Sequence, residues 1–243
     1  MIFSKFNKNI IFVIGSGRSG THLLGRTFEN SPEIDAFIED DLFFETITDL
    51  AVGLNKNKSN LNKVLKRYKK VFNKSEKQYI LEKTHPNIWF VEEILEFFPN
   101  AKFIGIKRNV LSTVASMINH KGVLSWYKRL PLDEVNPFLG ITESNKDAFK
   151  KLPLESKCTF RWISHTNRLE YLENKYPKHV KIVDYEDFYD NYNGLMNILK
   201  EFLDLDFNLN SETLNQSGKD KWKTTLSQEQ VNNIHTVINN QDV

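Results

Sequence analysis

Ile10-Ile11-Phe12-Val13-Ile14, running into Gly15-Ser16-Gly17-Arg18-Ser19-Gly20-Thr21-His22, decides how this chain is read. The first five residues form an unbroken apolar run rich in β-branched side chains, the pattern of a parallel strand buried on both faces. A glycine-rich turn follows, and Leu23-Leu24-Gly25-Arg26-Thr27-Phe28 reads as the opening of a helix. Strand, glycine loop and helix N-terminus together make a cradle for phosphate. Successive backbone N–H groups point into the turn, and the helix end adds partial positive charge. Gly15, Gly17 and Gly20 place no Cβ in the way of an approaching anion.

What the loop lacks narrows the ligand. A Walker A loop needs G-x-x-x-x-G-K-[ST], with the lysine on the terminal phosphates and the hydroxyl on Mg²⁺. Gly15 and Gly20 have that spacing, but Thr21 stands at the lysine position and His22 at the hydroxyl position. The basic residue comes early, as Arg18. A nucleoside triphosphate would be poorly compensated here, so a less highly charged phosphate ligand, handled without metal, suits the loop better.

Arg18-Ser19-Gly20-Thr21-His22 resembles the 5′-phosphosulfate loop, [KR]-S-G-T-[TS], of sulfotransferases that use 3′-phosphoadenosine 5′-phosphosulfate (PAPS). His22 departs from it, and a ring N–H there would replace a hydroxyl donor. A second apolar strand, Ala101 to Lys107, ends in Arg108-Asn109-Val110, with Ser116 eight residues after Arg108. This is similar to the family's 3′-phosphate motif. An arginine at a strand end can fork onto a phosphate, and a serine two turns into the next helix can reach the same group. Val110 replaces the usual proline.

Other segments extend the resemblance along the chain: Lys83-Thr84-His85-Pro86 with Phe98-Pro99-Asn100-Ala101-Lys102-Phe103-Ile104, then Tyr185-Glu186-Asp187-Phe188 ahead of Phe202-Leu203, and the basic Ser217 to Lys223. The resemblance implies a three-layer α/β/α fold with a central parallel sheet, and PAPS as cosubstrate, leaving adenosine 3′,5′-bisphosphate (PAP). It implies that Gly17, Arg18, Ser19, Gly20, Thr21, His22, Arg108 and Ser116 bind the nucleotide. Tyr185 is expected at the adenine, with Lys219 and Trp222 closing on the 3′-phosphate and base; Lys221 and Lys223 are expected to face solvent.

For the general base the resemblance points first to Glu39, just after the second short strand, where members with a carboxylate base place a glutamate. Asp40, Asp41 and His120 are alternatives, and so is His85, since other members use a histidine. Capping of the helix near Leu42 is the competing account of Glu39 to Asp41. Lys83 is assigned to the leaving bridging oxygen. The carboxylate pattern resembles carbohydrate and tyrosyl-peptide members, so a sugar hydroxyl is the expected acceptor, with a lipid or small alcohol open. A nucleotide kinase with an unusual loop, and a catalytically silent nucleotide-binding module, are the competing functions.

Composition sets the outer bounds. With 243 residues, 40% of them hydrophobic, the chain can bury one sizeable α/β core, so a single domain over 1–243 is expected. A net charge of +2 gives no global argument for nucleic acid or membrane as partner. Lys63, Lys66, Arg67, Lys69, Lys70 and Lys74 cluster, as a solvated helix face or a docking surface for an acidic polymer. One cysteine, Cys158, rules out an internal disulfide framework. The six histidines show no paired ligand spacing, so no metal is expected. The N-terminus enters the first strand at once, and no run approaches the ~20 apolar residues of a spanning helix. A cytoplasmic protein, monomeric or homodimeric, is therefore expected. The segment 120–157, broken by Pro131, Pro137, Gly140 and Pro153, is expected to cover a variable acceptor site. Trp126, Tyr127, Phe138 and Phe149 within it either line that site or anchor the segment to the core.

Overall fold

A computed structural model describes residues 8–53, 58–209 and 220–240. The apolar run forms β1 (Asn9–Gly15), followed by α1 (Thr21–Glu29) and β2 (Ile34–Ile38). Helices α2 (Phe44–Ala51) and α3 (Lys58–Phe72) precede β3 (Tyr79–Lys83). A 3₁₀ segment at His85–Trp89 leads into α4 (Val91–Phe97) and β4 (Lys102–Lys107). Then come α5 (Val110–Ile118), α6 (Lys121–Arg129), α7 (Lys146–Phe149), the long α8 (Leu154–Lys175) and β5 (Val180–Asp184). The last described elements are α9 (Asp187–Asp190), α10 (Tyr192–Leu203), α11 (Trp222–Thr225) and α12 (Gln228–Asn239).

The five strands form one parallel sheet in the order β2-β3-β1-β4-β5. β1 is central, and its side chains alternate between two cores. Ile10, Phe12 and Ile14 join Phe43, Tyr68, Phe72 and Phe103 on one face. Ile11 and Val13 join Leu24, Phe28, Leu195 and Leu199 on the other. That alternation explains the unbroken apolar run: both faces of the strand are covered by helices, so neither set of side chains meets water. Each such side chain contributes roughly 1.5–3 kcal/mol by its burial. Phe12 stacks on Phe103 of the adjoining strand with ring centroids 5.1 Å apart.

The strand order positions the site. From β1 the chain builds outward to β3 and β2 on one side and to β4 and β5 on the other. Loops leaving the carboxyl ends of β1 and β4 therefore diverge and open a crevice, the place where such sheets bind ligands. On α3, Leu61, Val64, Leu65, Tyr68 and Phe72 face the core, while Lys63, Lys66, Arg67, Lys69 and Lys70 are exposed.

Two details differ from the sequence pattern. α2 starts at Phe44, not near Leu42, because Asp40 closes a turn first: its Oδ1 accepts from Leu42 N at 2.8 Å and its carbonyl from Phe43 N and Phe44 N. The proline-broken segment does hold helix, in α6 and α7. Its Phe138 and Phe149 are fully buried with Leu139 and Ile141, so these two anchor the segment. Tyr127 does so as well, donating its hydroxyl to Lys157 O at 3.1 Å.

Gly140 fastens this segment to α8. It has φ of 79°, and a Cβ there would lie 2.3 Å from the Phe160 carbonyl carbon and oxygen. Gly140→Ala is expected to lower stability by about 3 kcal/mol, from combined left-handed strain and backbone clash. A denaturant titration checks this; a loss below about 0.5 kcal/mol, the scale of a surface change, would mean that loop and helix part readily.

Candidate active site

The glycine loop lies in the crevice between β1 and α1. Ser19 is buried and does not point outward: its N and Oγ both donate to Ser16 O, at 3.1 and 2.7 Å, and pin the turn. Gly20 has φ of 104°, and a Cβ there would lie 2.2 Å from the Tyr185 ring, so only glycine lets loop and tyrosine meet. No side chain caps the first turn of α1 and no acidic residue stands in it, which leaves that N-terminus open to an anion. Thr21 is its buried first residue.

Three groups from separate elements converge beside the loop. Arg18, held at φ of 78°, donates its Nε to Ser116 Oγ on α5 at 3.1 Å. Arg108, just past β4, lies over the Tyr185 ring at 4.1 Å and directs Nη1 to Arg18 O at 3.4 Å. Arg108 Nε is buried and unpartnered among the described residues. Val110 costs the helix start little, since Asn109 caps α5 with its side chain on Ser112 N at 3.3 Å. An orphaned donor, an uncapped helix and two converging guanidiniums fit a ligand with phosphate groups.

Three adjoining cavities meet at Arg18. One of about 390 Å³ is bounded by Arg108, Ser112, Ser116, Asn119, Lys221 and Trp222. A smaller one, about 140 Å³, lies between Gly20, Thr21, His22, Arg108, Ser116 and Tyr185. The third, about 230 Å³, has Gly17, Glu39, His85, His120 and the aromatic Phe44 and Trp126 in its walls. Lys219 lies outside the described residues. Lys221 lines the mouth of the first cavity, contrary to the expectation that it faces only solvent; Lys223 pairs with Asp220 at 3.1 Å.

At the third cavity β2 and β3 end side by side, and Glu39, Lys83, His85 and His22 form one cluster. Lys83 is fully buried and pairs with Glu39 Oε1. Its ammonium also bonds His22 Nδ1 at 2.9 Å. His85 Nδ1 lies 3.3 Å from the same Glu39 oxygen, while Oε2 faces His22 Nε2 at 3.6 Å. Glu39 thus turns into the site, with φ of 47°, and does not cap α2. Burial alone would raise its carboxyl, but the His85 hydrogen bond and the Lys83 charge prevail and hold it at about 2. Burial lowers Lys83, against the pull of Glu39. Burial also takes His85 down to about 4, the Glu39 hydrogen bond opposing. His22 is lowered by burial and then by Lys83. His120 accepts Val123 N at 3.3 Å as the cap of α6 and lines two of the cavities.

Sequence reasoning missed Ser112, Asn119, Thr225 and Arg161. Ser112 and Thr225 lie on helices and Asn119 just past the end of α5, with no motif to mark them. Arg161, on α8 behind the loop, is fully buried, with its guanidinium 4.6 Å from both the Trp126 and Phe138 rings. Among the described residues no group of three or more His, Cys, Asp or Glu is arranged to hold a metal ion, and no helix is long and apolar enough to cross a membrane.

Fold and site define an α/β protein whose phosphate loop and neighbouring strand each bring an arginine to one trough. Residues 8–242 match the sulfotransferase domain family, and the chain belongs to it. It is accordingly a PAPS-dependent sulfotransferase, an enzyme of sulfuryl transfer. The fold is shared with the sulfotransferase domain of the Synechococcus PCC 7002 olefin synthase, at 15% identity over 95% of this chain and 94% of that one, TM-score 0.59. The sulfotransferase domain from the curacin biosynthetic pathway is similar at 17% identity over 96% and 98%, TM-score 0.55. Mouse sulfotransferase SULT7A1 complexed with PAP aligns at 17% identity over 94% and 82%, TM-score 0.52. No curated protein matches the chain.

The Lys83–Glu39 pair makes stability depend on pH. Unfolded, Glu39 takes up a proton near 4.5; folded, it stays ionised down to about 2. Its contribution is complete above about 4.5 and is lost as pH falls toward 2. Glu39→Gln is expected to cost about 3 kcal/mol at neutral pH by stranding the buried ammonium, with the gap to wild type closing on acidification. Denaturation midpoints of both proteins across that range give the answer; a gap that stays constant would mean that the carboxylate charge is not what stabilises the site.

Proposed function

We propose that the enzyme transfers the sulfuryl group of PAPS to a hydroxyl of a ring-sized acceptor, a sugar residue by preference, with His85 as general base and Glu39 as its orienting partner. The convergence of Arg18, Arg108 and Ser116 on a trough that shares Arg18 with the cavity of His85, Glu39 and His22 is the observation on which this rests. The loop amides and Arg18 would hold the 5′-phosphosulfate, Arg108 and Ser116 the 3′-phosphate, with Tyr185, Trp222 and Lys219 closing on the nucleotide.

Glu39 came first as base from sequence, and the geometry favours His85. Glu39 is committed to Lys83 and His85 and held ionised to about 2, so it accepts a proton weakly. His85 Nε2 is uncommitted, buried and at the cavity wall, and the ring is neutral at pH 7. With Nδ1–H donated to Glu39, the dyad follows the usual logic of a base oriented by a carboxylate. PAPS supplies an electrophilic sulfur. The acceptor oxygen bonds to that sulfur while its proton passes to Nε2, and the bridging S–O bond breaks with its electron pair going to the phosphate oxygen. Lys83 has three N–H donors, two of them spent on Glu39 and His22; in this proposal the third serves the bridging oxygen. Positive charge from Arg18 and Lys83 serves the transfer without a metal in this proposal.

The acceptor cavity, about 230 Å³, is smaller than the ~300–1,000 Å³ typical of drug-sized ligands. It admits one ring, with Phe44 and Trp126 as apolar faces to pack on, and leaves the rest of a larger acceptor outside.

Calorimetric titration with PAP, adenosine 5′-monophosphate and Mg-ATP separates the readings. Micromolar PAP binding that needs the 3′-phosphate is expected, weakened about 100-fold or more in Arg108→Ala, the loss of charge-assisted hydrogen bonds. Tighter binding of Mg-ATP, indifferent to Arg108, would favour the kinase instead. His85→Gln is expected to lower kcat by about 10²–10⁴ with PAP affinity unchanged. PAP binding without turnover on any hydroxyl acceptor would leave a silent module.

A further inference from the structure

The buried guanidinium of Arg161 is a strong charge near the site that the reaction as described does not use. It sits between the Trp126 and Phe138 rings, and none of its three nitrogens has a hydrogen-bond partner among the described residues. The nearest polar side chains offer no counter-charge. Burial pushes the Cys158 thiol up to about 12 and the Tyr127 phenol well up, so both stay neutral. Ring stacking favours the cation, but a fully desolvated charge without an anion is costly to hold.

Where that charge points is fixed by Gly17. A Cβ on Gly17 would meet His85 Nε2 at 3.1 Å and Arg161 Nη2 at 3.4 Å. Both nitrogens therefore press on the same spot behind the phosphate loop, and His85 Nε2 is unpartnered too. The other ring nitrogen, Nδ1, faces the ionised Glu39 at 3.3 Å, with Lys83 bonded to the same carboxylate. Those two charges lie on the Nδ1 side and act in opposite directions on a ring that burial already disposes to be neutral. Against the Nε2 side stands Arg161. His165, one turn further along α8, is held neutral by burial with its ring on Phe138 O and Gly15 O. Phe44 from α2 and Trp126 from α6 also pack near the ring and do not titrate.

We propose that Arg161 is a positioning residue for sulfuryl transfer: its fixed charge, acting across Gly17, holds His85 as the neutral Nδ1–H tautomer and keeps Nε2 free to accept the acceptor's proton. Protonating Nε2 would set two positive donors against each other in a dry site. Any anion gripped by the loop favours a charged histidine, and a cation anchored behind the loop opposes it. Because α8 and the stacked rings fix the guanidinium, this opposition does not relax when the loop is occupied.

The inference rests on His85 as the proton acceptor, but its primary test does not need turnover. Heteronuclear NMR of the ligand-free full chain, labelled at the histidine ring nitrogens and assigned with His85→Gln, reads tautomer and charge directly. Wild-type His85 is expected to stay the neutral Nδ1–H form between about pH 5 and 8. In Arg161→Met the ring should titrate at a pH higher by about half a unit to one unit, while Arg161→Lys, which keeps the charge, should behave as wild type. A wild-type ring carrying its proton on Nε2, or an unchanged titration in Arg161→Met, overturns the proposal; the first result decides even if the methionine variant fails to fold. The acid limb of kcat should move upward by the same amount in Arg161→Met with PAP affinity unchanged, which a loss of packing alone would not produce. If the NMR behaves as expected and no acceptor is turned over, the assignment to Arg161 stands and it is the transfer reading that fails.

Discussion

A buried ammonium governs this site. Lys83 ends the second strand from the centre of a sheet covered on both faces, so its charge has no water to turn to. It must be met by side chains. Glu39, at the end of the neighbouring strand, meets it, and the demand is strong enough to hold a glutamate at positive φ, a conformation that costs about 1 kcal/mol or more. Once Glu39 is fixed, His85 is oriented through the same oxygen and His22 through the ammonium. One desolvated charge thus places three side chains, and the cavity they line inherits their arrangement.

The phosphate side is organised by the opposite problem, too many like charges. Arg18 and Arg108 are held close to one another, which is unfavourable unless their other contacts fix them. Those contacts are Ser116 for Arg18, and the Tyr185 face with the Arg18 carbonyl for Arg108. The donors are in position before a ligand arrives, so less ordering is left to oppose binding. Arg18 belongs to every one of the three cavities, and its left-handed backbone is what turns it from the loop toward them. Two of the three non-glycine residues with positive φ among those described are Arg18 and Glu39; the third, Asp204, merely ends α10.

Sequence legibility followed the same division. β1 and β4 could be read because each is a short, mostly apolar run. The loop could be read because glycines spaced around an arginine, straight after a buried strand, suit little besides an anion. The Arg108–Ser116 pair could be read because strand end and helix pitch fix their separation. α8 could not. Its inward positions include Ser156, Thr159, Arg161 and His165, all buried, so the apolar stripe by which a helix is recognised is interrupted where it approaches the site. The role of His22 was equally hidden: its place in the loop suggests a phosphate donor, and only the end of β3 alongside explains why its ring turns to Lys83. Asp40 misled the start of α2 because a turn-forming aspartate and a helix cap look alike in sequence.

These failures share a cause. Polar residues buried against the reaction centre contradict the rule that buries apolar ones, and an enzyme of this design needs several of them. The strands supply rigidity from ordinary hydrophobic burial, which pattern reading detects well. The proposed chemistry falls to Lys83, His85 and Glu39 with Arg161 behind them, buried polar groups that are tolerated because they are arranged about one another or against aromatic faces. No one of the four can be understood alone. His85 and Lys83 together hold Glu39 ionised, Glu39 engages His85 through Nδ1 alone, and Nε2 is left facing the Gly17 backbone beside Arg161.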